Sequence, residues 1–291
     1  MDSKQTALAT IVVLGGIGLL AVSCSDDDVD DSLKAVEHAP ADSYAPASAA
    51  KHEPEPRHAV PAVNRDVSWA YDGDGAPFLW SELKADYELC GAGNNQSPID
   101  ISAVTITDLA DIEFNYQASP LEITNNGHTI QVNYAPGSSI TVGDKKYELL
   151  QFHFHSPSEH TVGGKAYDMV AHLVHKSADG QLGVVGVMFK AGSAVNNAIA
   201  KVWLNMPEKA GTTVDVSDVV INAADLLPRD MTYFNYSGSL TTPPCSEGVN
   251  WMVMATPNQI ASEQVKQFTR LFPLSARPVQ PLNGRSVTVS N

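Results

Sequence analysis

From about residue 66 onward, apolar and polar side chains come in short alternating or wholly apolar runs: Leu121 to Thr124, His128 to Tyr134, Ser139 to Val142, Tyr147 to His155, Tyr167 to His175 and Leu182 to Lys190. A period of two is that of a pleated strand, whose side chains point to opposite faces in turn. Asn125-Asn126-Gly127, Pro136-Gly137 and Asp179-Gly180 separate the runs with residues that favour turns. Helical spacing is confined to Ala194 to Leu204 and Ser262 to Leu271. That is too few helices to alternate with strands as a doubly wound parallel sheet requires. The pattern predicts a mainly β fold, a mostly antiparallel sheet with peripheral helices.

The first residues follow a different pattern. Leu8 to Val22 carries one polar residue, Thr10, and three glycines. That run is shorter than the ~20 residues of a bilayer-spanning helix, so residues 1–24 read as an export signal. Ala21-Val22-Ser23-Cys24 resembles a bacterial lipobox, with Ala21 where Leu is usual, which makes Cys24 the candidate lipidation site and membrane anchor. Ordinary cleavage and an uncleaved anchor are the alternatives. Residues 25–65 are rich in Ala, Pro, Asp, Glu and Ser and almost lack large apolar side chains, so they cannot repay ordering entropy and read as a flexible acidic tether. His38, His52 and His58 fall there at irregular spacing and read as solvated. Residues 66–291 then form one domain.

Composition narrows the partners. With 43% hydrophobic residues the 291-residue chain can bury a substantial core, and a net charge of −15 with no basic cluster disfavours nucleic acid and anionic lipid surfaces. A small-molecule partner is expected. The oligomeric state stays open, a homodimer included.

Candidate chemistry sits on two of the predicted strands. In Gln151-Phe152-His153-Phe154-His155 the histidines share one face about 6.7 Å apart, while Phe152 and Phe154 point into the other layer. Ala171-His172-Leu173-Val174-His175 supplies a third imidazole on a strand able to pair beside the first. Three imidazoles with one open position is the donor set of a catalytic zinc. The pair alone reads equally well as two polar residues on a solvated face.

Taken in order, QFHFH, Ser158-Glu159-His160-Thr161, AHLVH and Gly238-Ser239-Leu240-Thr241-Thr242-Pro243-Pro244 resemble the alpha class of carbonic anhydrases. Further matches are Trp69-Ala70-Tyr71, GNNQSPIDI from Gly93, NNGH from Asn125, VNW ending at Trp251 and RPVQPL from Arg277, so that the likeness runs from Trp69 to Arg285. It implies a large, twisted, mostly antiparallel central sheet with the metal at the floor of a conical cleft. It also implies zinc-dependent, reversible hydration of carbon dioxide to bicarbonate and a proton, with hydroxide on the metal as nucleophile.

The same resemblance implies residue roles. His153, His155 and His172 would hold Zn2+. Thr241 would pass its hydroxyl proton to Glu159 and thereby orient the nucleophile, and Val174, Val184, Leu240, Thr242, Val249 and Trp251 would form the substrate site. His128 would shuttle protons, an ordinary histidine titrating near 6.5. Tyr71, Asn126 and Gln131 would order cleft waters, Gln151 would hold the first ligand, and His160 and His175 would be supporting histidines. Cys90 and Cys245 would pair in a disulfide, as in exported members of the class.

One position departs from the pattern. Val170 stands where many members carry a Glu that holds the second nitrogen of the third ligand. Asp168 lies on the same strand face but about 6.7 Å further along, a poor replacement. Such supporting groups are worth ~10–100-fold in metal affinity or activity. A weak or silent zinc-binding module is therefore the alternative to an enzyme. A zinc-delivery protein would need exposed, exchangeable ligands instead.

Overall fold

The computed structural model describes residues 67–290. The signal, Cys24 and tether readings lie outside these residues, as does Asp66 at the domain's expected start. Eight strands organise a thirteen-stranded sheet: β1 (Ser119–Asn125), β2 (Ile130–Asn133), β3 (Lys145–His155), β4 (Met169–Ser177), β5 (Leu182–Gly192), β6 (Thr212–Ile221), β7 (Tyr233–Ser239) and β8 (Glu247–Met254). Their spatial order is β6-β1-β2-β3-β4-β5-β8-β7, continued by the short strands Thr288–Val289 and Thr105–Ile106. Most neighbours run antiparallel, as the alternation predicts. β5 instead pairs in parallel with β8 and with Asn258–Ala261, which makes the sheet mixed.

Strand β3 shows how the site face is chosen. Tyr147 and Leu149 belong to the main core, and so do Phe152 and Phe154, which is a change of parity along one strand. The register against β4 explains it: Val174 lies opposite Gln151 and His175 opposite Leu149, which leaves Leu150 as the extra residue of a bulge. Without the bulge every side chain beyond it would exchange faces. With it, Phe154 packs against Trp203 and Phe268, while His153 and His155 turn to the opposite face.

The helices lie on the phenylalanine side. In α1 (Asn197–Trp203) and α2 (Ser262–Thr269), Ile199, Val202, Trp203 and Phe268 face the core. Asn196 caps α1, its side-chain oxygen accepting the Ile199 N–H at 3.1 Å and satisfying a donor the helix leaves free. A second cluster on the other face contains Ile99, Val170, Val184, Tyr236, Val249 and Trp251. A third gathers Trp80, Leu83, Cys90 and Cys245, with Trp69 and Tyr71 packed against it. No helix among the described residues is long and apolar enough to cross a membrane.

Candidate metal centre

Strand pairing brings the three histidines together. His172 on β4 lies directly opposite His153 on β3, and one ligand nitrogen from each of His153, His155 and His172 falls within 4.8 Å of the others. Each ring on β3 is held from behind. The Nδ1–H of His153 donates to the Gln151 side-chain oxygen at 2.9 Å, as expected for Gln151. That of His155 donates to the Ser275 carbonyl at 2.5 Å, with the Tyr71 hydroxyl 3.4 Å away. These bonds assign the proton to Nδ1 and leave Nε2 as the free donor atom of both rings. His155 Nε2 is buried and has no protein partner.

His172 is held differently. Its Nδ1 lies 3.7 Å from Glu159 Oε2, while its Nε2 is buried and has no protein partner. Val170 is fully buried in the apolar cluster and offers no acceptor. Asp168, the other candidate on this strand, accepts the Ala191 N–H at 2.7 Å and is committed there. Burial keeps His153 and His172 well below the ordinary histidine range, with neighbouring imidazoles adding to the effect. Neutral rings have lone pairs to give. Three imidazoles converging in a cleft, with His155 Nε2 an orphaned buried nitrogen, suit a divalent metal with an open position.

Glu159 lies beside this group. Its Oε2 is 3.5 Å from His155 Nε2, and its Oε1 accepts the Arg277 backbone N–H at 2.9 Å. Burial pushes its carboxyl up; His155, the Arg277 N–H, the Thr241 hydroxyl and the Arg277 guanidinium pull the other way. Arg277 is itself fixed, donating to the Gln96 side chain at 2.9 Å and to the carbonyls of Ser97 at 2.6 Å and Cys90 at 2.9 Å. Sequence reasoning gave Ser275 and Arg277 no role. They lie 120 and 118 residues from their partners and act through the backbone, which no side-chain pattern reports.

A cleft of about 170 Å³ opens over the histidines. Its walls include Val174, Val184, Leu240, Thr241, Thr242 and Trp251, and on the other side Tyr71, Asn126, His128 and Gln131. Val249 is not among the cleft-lining residues and packs in the cluster with Val184 and Trp251. Asn126 shapes the turn before β2, its side-chain oxygen accepting the N–H groups of His128 and Thr129, both at 3.0 Å. His128 stacks on Trp69 with ring centroids 3.6 Å apart, and burial there lowers its pKa. The expected match to an unperturbed imidazole is corrected to that extent.

The remaining histidines support the frame. His160 Nε2 is 2.6 Å from the Tyr236 hydroxyl, and burial drives this imidazole down to about 3. His175 faces the main core, accepting from Tyr116 at 2.8 Å and donating to the Gly183 carbonyl at 3.2 Å. Cys90 and Cys245 form the bridge the resemblance implied, closing 155 residues of chain. Such bonds persist in oxidising compartments, which points to a non-cytoplasmic protein.

A sheet cleft with three converging imidazoles and an apolar wall is the kind of site that a metal-dependent enzyme for a small substrate uses. Residues 76–291 match the family model described as eukaryotic-type carbonic anhydrase. A carbonic anhydrase of Nostoc sp. is 47% identical over 232 residues, covering 78% of this chain and 88% of that protein. One from Pectobacterium carotovorum is 42% identical over 222 residues, covering 76% and 90%. Among solved structures, a hyperthermostable carbonic anhydrase from an active hydrothermal vent chimney is 49% identical. It has a TM-score of 0.74 and covers 77% of this chain and all of that one. The chain belongs to the alpha carbonic anhydrase family, a family of zinc-dependent enzymes acting on carbon dioxide and bicarbonate.

Proposed function

We propose that this chain is an exported zinc enzyme for the reversible hydration of carbon dioxide, with His153, His155 and His172 as the metal ligands. The observation that carries the reading is the convergence of three ligand nitrogens within 4.8 Å at the floor of an aliphatic cleft. When bound, zinc supplies the Lewis acidity that brings a water to a pKa of roughly 7, the figure characteristic of this enzyme class. The chain's own residues do the rest. Gln151 and the Ser275 carbonyl hold two of the rings, so that their lone pairs are aimed before the metal arrives.

In this reading Thr241, whose hydroxyl acts on the Glu159 carboxyl, donates its proton to Oε2, the oxygen left free when Oε1 accepts the Arg277 N–H. Having given its only proton there, the Thr241 oxygen can only accept, so it orients the attacking oxygen. Val174, Val184, Leu240 and Trp251 present an apolar wall to a substrate with no dipole, and Thr242 adds a hydroxyl beside it. Export by the N-terminal signal and lipid anchoring through Cys24 complete the proposal; the disulfide supports export.

Zinc analysis of the purified protein with stopped-flow carbon dioxide hydration tests the reading. About one zinc per chain and chelator-sensitive hydration are expected, with both lost in His172→Ala. Hydration in that variant equal to wild type would remove the metal assignment. Zinc binding without hydration would favour the silent module.

His128 is proposed as the proton shuttle. Burial against Trp69 leaves it neutral at pH 7 and a weaker base than an exposed histidine, so proton removal should depend visibly on external buffer. His128→Ala should be slower in dilute buffer and partly rescued by added imidazole. Equal rates for variant and wild type in both conditions would exclude the role.

A further inference from the structure

Besides His155 Nε2 and Glu159 Oε2, two buried imidazole nitrogens beside the metal site have no hydrogen-bond partner: Nε2 of His172 and Nδ1 of His160. The rings are neighbours, with centroids 6.2 Å apart, and both pack against Trp251 at 4.9 Å and 4.7 Å. Two residues before His172 on the same face of β4 stands Val170, so the strand supplies no acceptor. Buried polar groups near a metal are rarely left idle. We propose that His160 is the positioning residue for His172: held by Tyr236 as the Nε2–H tautomer, it turns an unprotonated Nδ1 to the His172 Nε2–H across a single bridging water.

The proposal rests on the reading of the site as a zinc centre: Nδ1 is the His172 nitrogen on the side of Glu159 Oε2 and His155 Nε2, and a metal held there would put that ring's proton on Nε2. The proton order proposed beyond His160 is the one that turns an acceptor towards His172. His160 Nε2 is 2.6 Å from the Tyr236 oxygen, and that oxygen is 2.8 Å from Ser97 Oγ. Ser97 Oγ also accepts the Ser239 N–H at 3.0 Å. If Tyr236 donated to His160, the His160 proton would sit on Nδ1, and the bridging water would have to accept from both rings and could donate to neither. In the opposite order His160 donates to Tyr236 and Tyr236 donates to Ser97. The Ser97 hydroxyl hydrogen is then without an acceptor among these groups, while His160 Nδ1 is free to accept. A water accepting from His172 and donating to His160 joins the two imidazole nitrogens. The chain Ser97, Tyr236, His160 thus takes the place of an acceptor on β4.

The test uses the zinc-loaded protein. Nitrogen NMR of the imidazoles is expected to show His160 protonated on Nε2 and bare at Nδ1; a proton on Nδ1 overturns the proposal. Zinc release to a chelator is the second readout. His160→Leu, which removes the acceptor, should release zinc ~10–100-fold faster. His160→Asn, whose side-chain oxygen sits near the former Nδ1, should stay close to wild type. Equal acceleration in both variants would mean that His160 only fills space, and no acceleration in either would mean that it does not act on His172; each result overturns the proposal. If His160→Leu does not fold, the tautomer decides alone. Failure to take up zinc at all removes the functional reading and this inference with it. Zinc uptake with release indifferent to residue 160 removes only the inference.

Discussion

Replacing Thr241 by Ala is expected to lower carbon dioxide turnover by about 100-fold while leaving zinc content unchanged, because in the proposed mechanism the hydroxyl orients a reactant and holds no ligand. Thr241 is 5% exposed and lines the cleft floor next to Glu159. The Glu159 carboxylate has two oxygens with different duties. Oε1 is occupied by the Arg277 N–H, and Oε2 points among His155 and His172, where it has no hydrogen-bond partner and is proposed to receive the Thr241 hydroxyl. Glu159→Gln should produce a loss of similar size by another route. The amide can keep an oxygen on the Arg277 N–H, but it then presents an N–H₂ donor towards Thr241, which reverses the hydroxyl and makes it donate where it must accept. The two losses have one cause, so the double variant should be little worse than either single one. Thr241→Ser should retain most of the activity. Stopped-flow hydration on all four variants checks this. A double variant whose losses multiply would mean that the two residues act independently.

The fold and the metal centre were legible to different depths. Strand alternation placed His153 and His155 on one face opposite Phe152 and Phe154, and the third imidazole followed from a strand able to pair alongside. The bulge at Leu150 was not legible: an uninterrupted period of two from Tyr147 to His155 would have put Tyr147 and Leu149 on the histidine face, whereas they lie in the core. An inserted residue shows only when a partner strand reveals the slip in register. Val249 read as wall for a similar reason. Its neighbour Trp251 lines the cleft, but depth behind a surface is a property of packing that composition does not encode. The supports of the site, Ser275 and Arg277, act through main-chain atoms, where residue type carries no signal. The departure at Val170 was legible only against the family pattern. Its consequence, two unpartnered nitrogens, needed the positions of His160 and His172 together.

Removing the Cys90–Cys245 bridge should be strongly destabilising, because the bond closes 155 residues, most of the described chain. In the chain-entropy model a loop of that length contributes about 5 kcal/mol by restricting the unfolded ensemble, and removal of native bridges commonly costs ~2–5 kcal/mol. For a domain of this size that corresponds to a fall in Tm on the order of 10 °C. The bond also has a local consequence. Cys245 follows Thr241 by four residues; its N–H donates to the Thr242 carbonyl at 2.9 Å, and its own carbonyl accepts from Gln96 at 3.0 Å. Across the bridge, the Cys90 carbonyl accepts from Arg277, whose backbone N–H holds Glu159. Both halves of the Thr241–Glu159 pair are therefore tied to the same covalent link. The double variant Cys90→Ser with Cys245→Ser should lose activity on warming before global unfolding, as the Thr241 segment loosens against a still folded sheet. Thermal unfolding and hydration rates recorded on the same temperature ramp separate the two effects. A melting curve unchanged by the substitutions would deny the bridge its part in stability, and activity lost only at the global transition would show that the sheet alone keeps Thr241 in place.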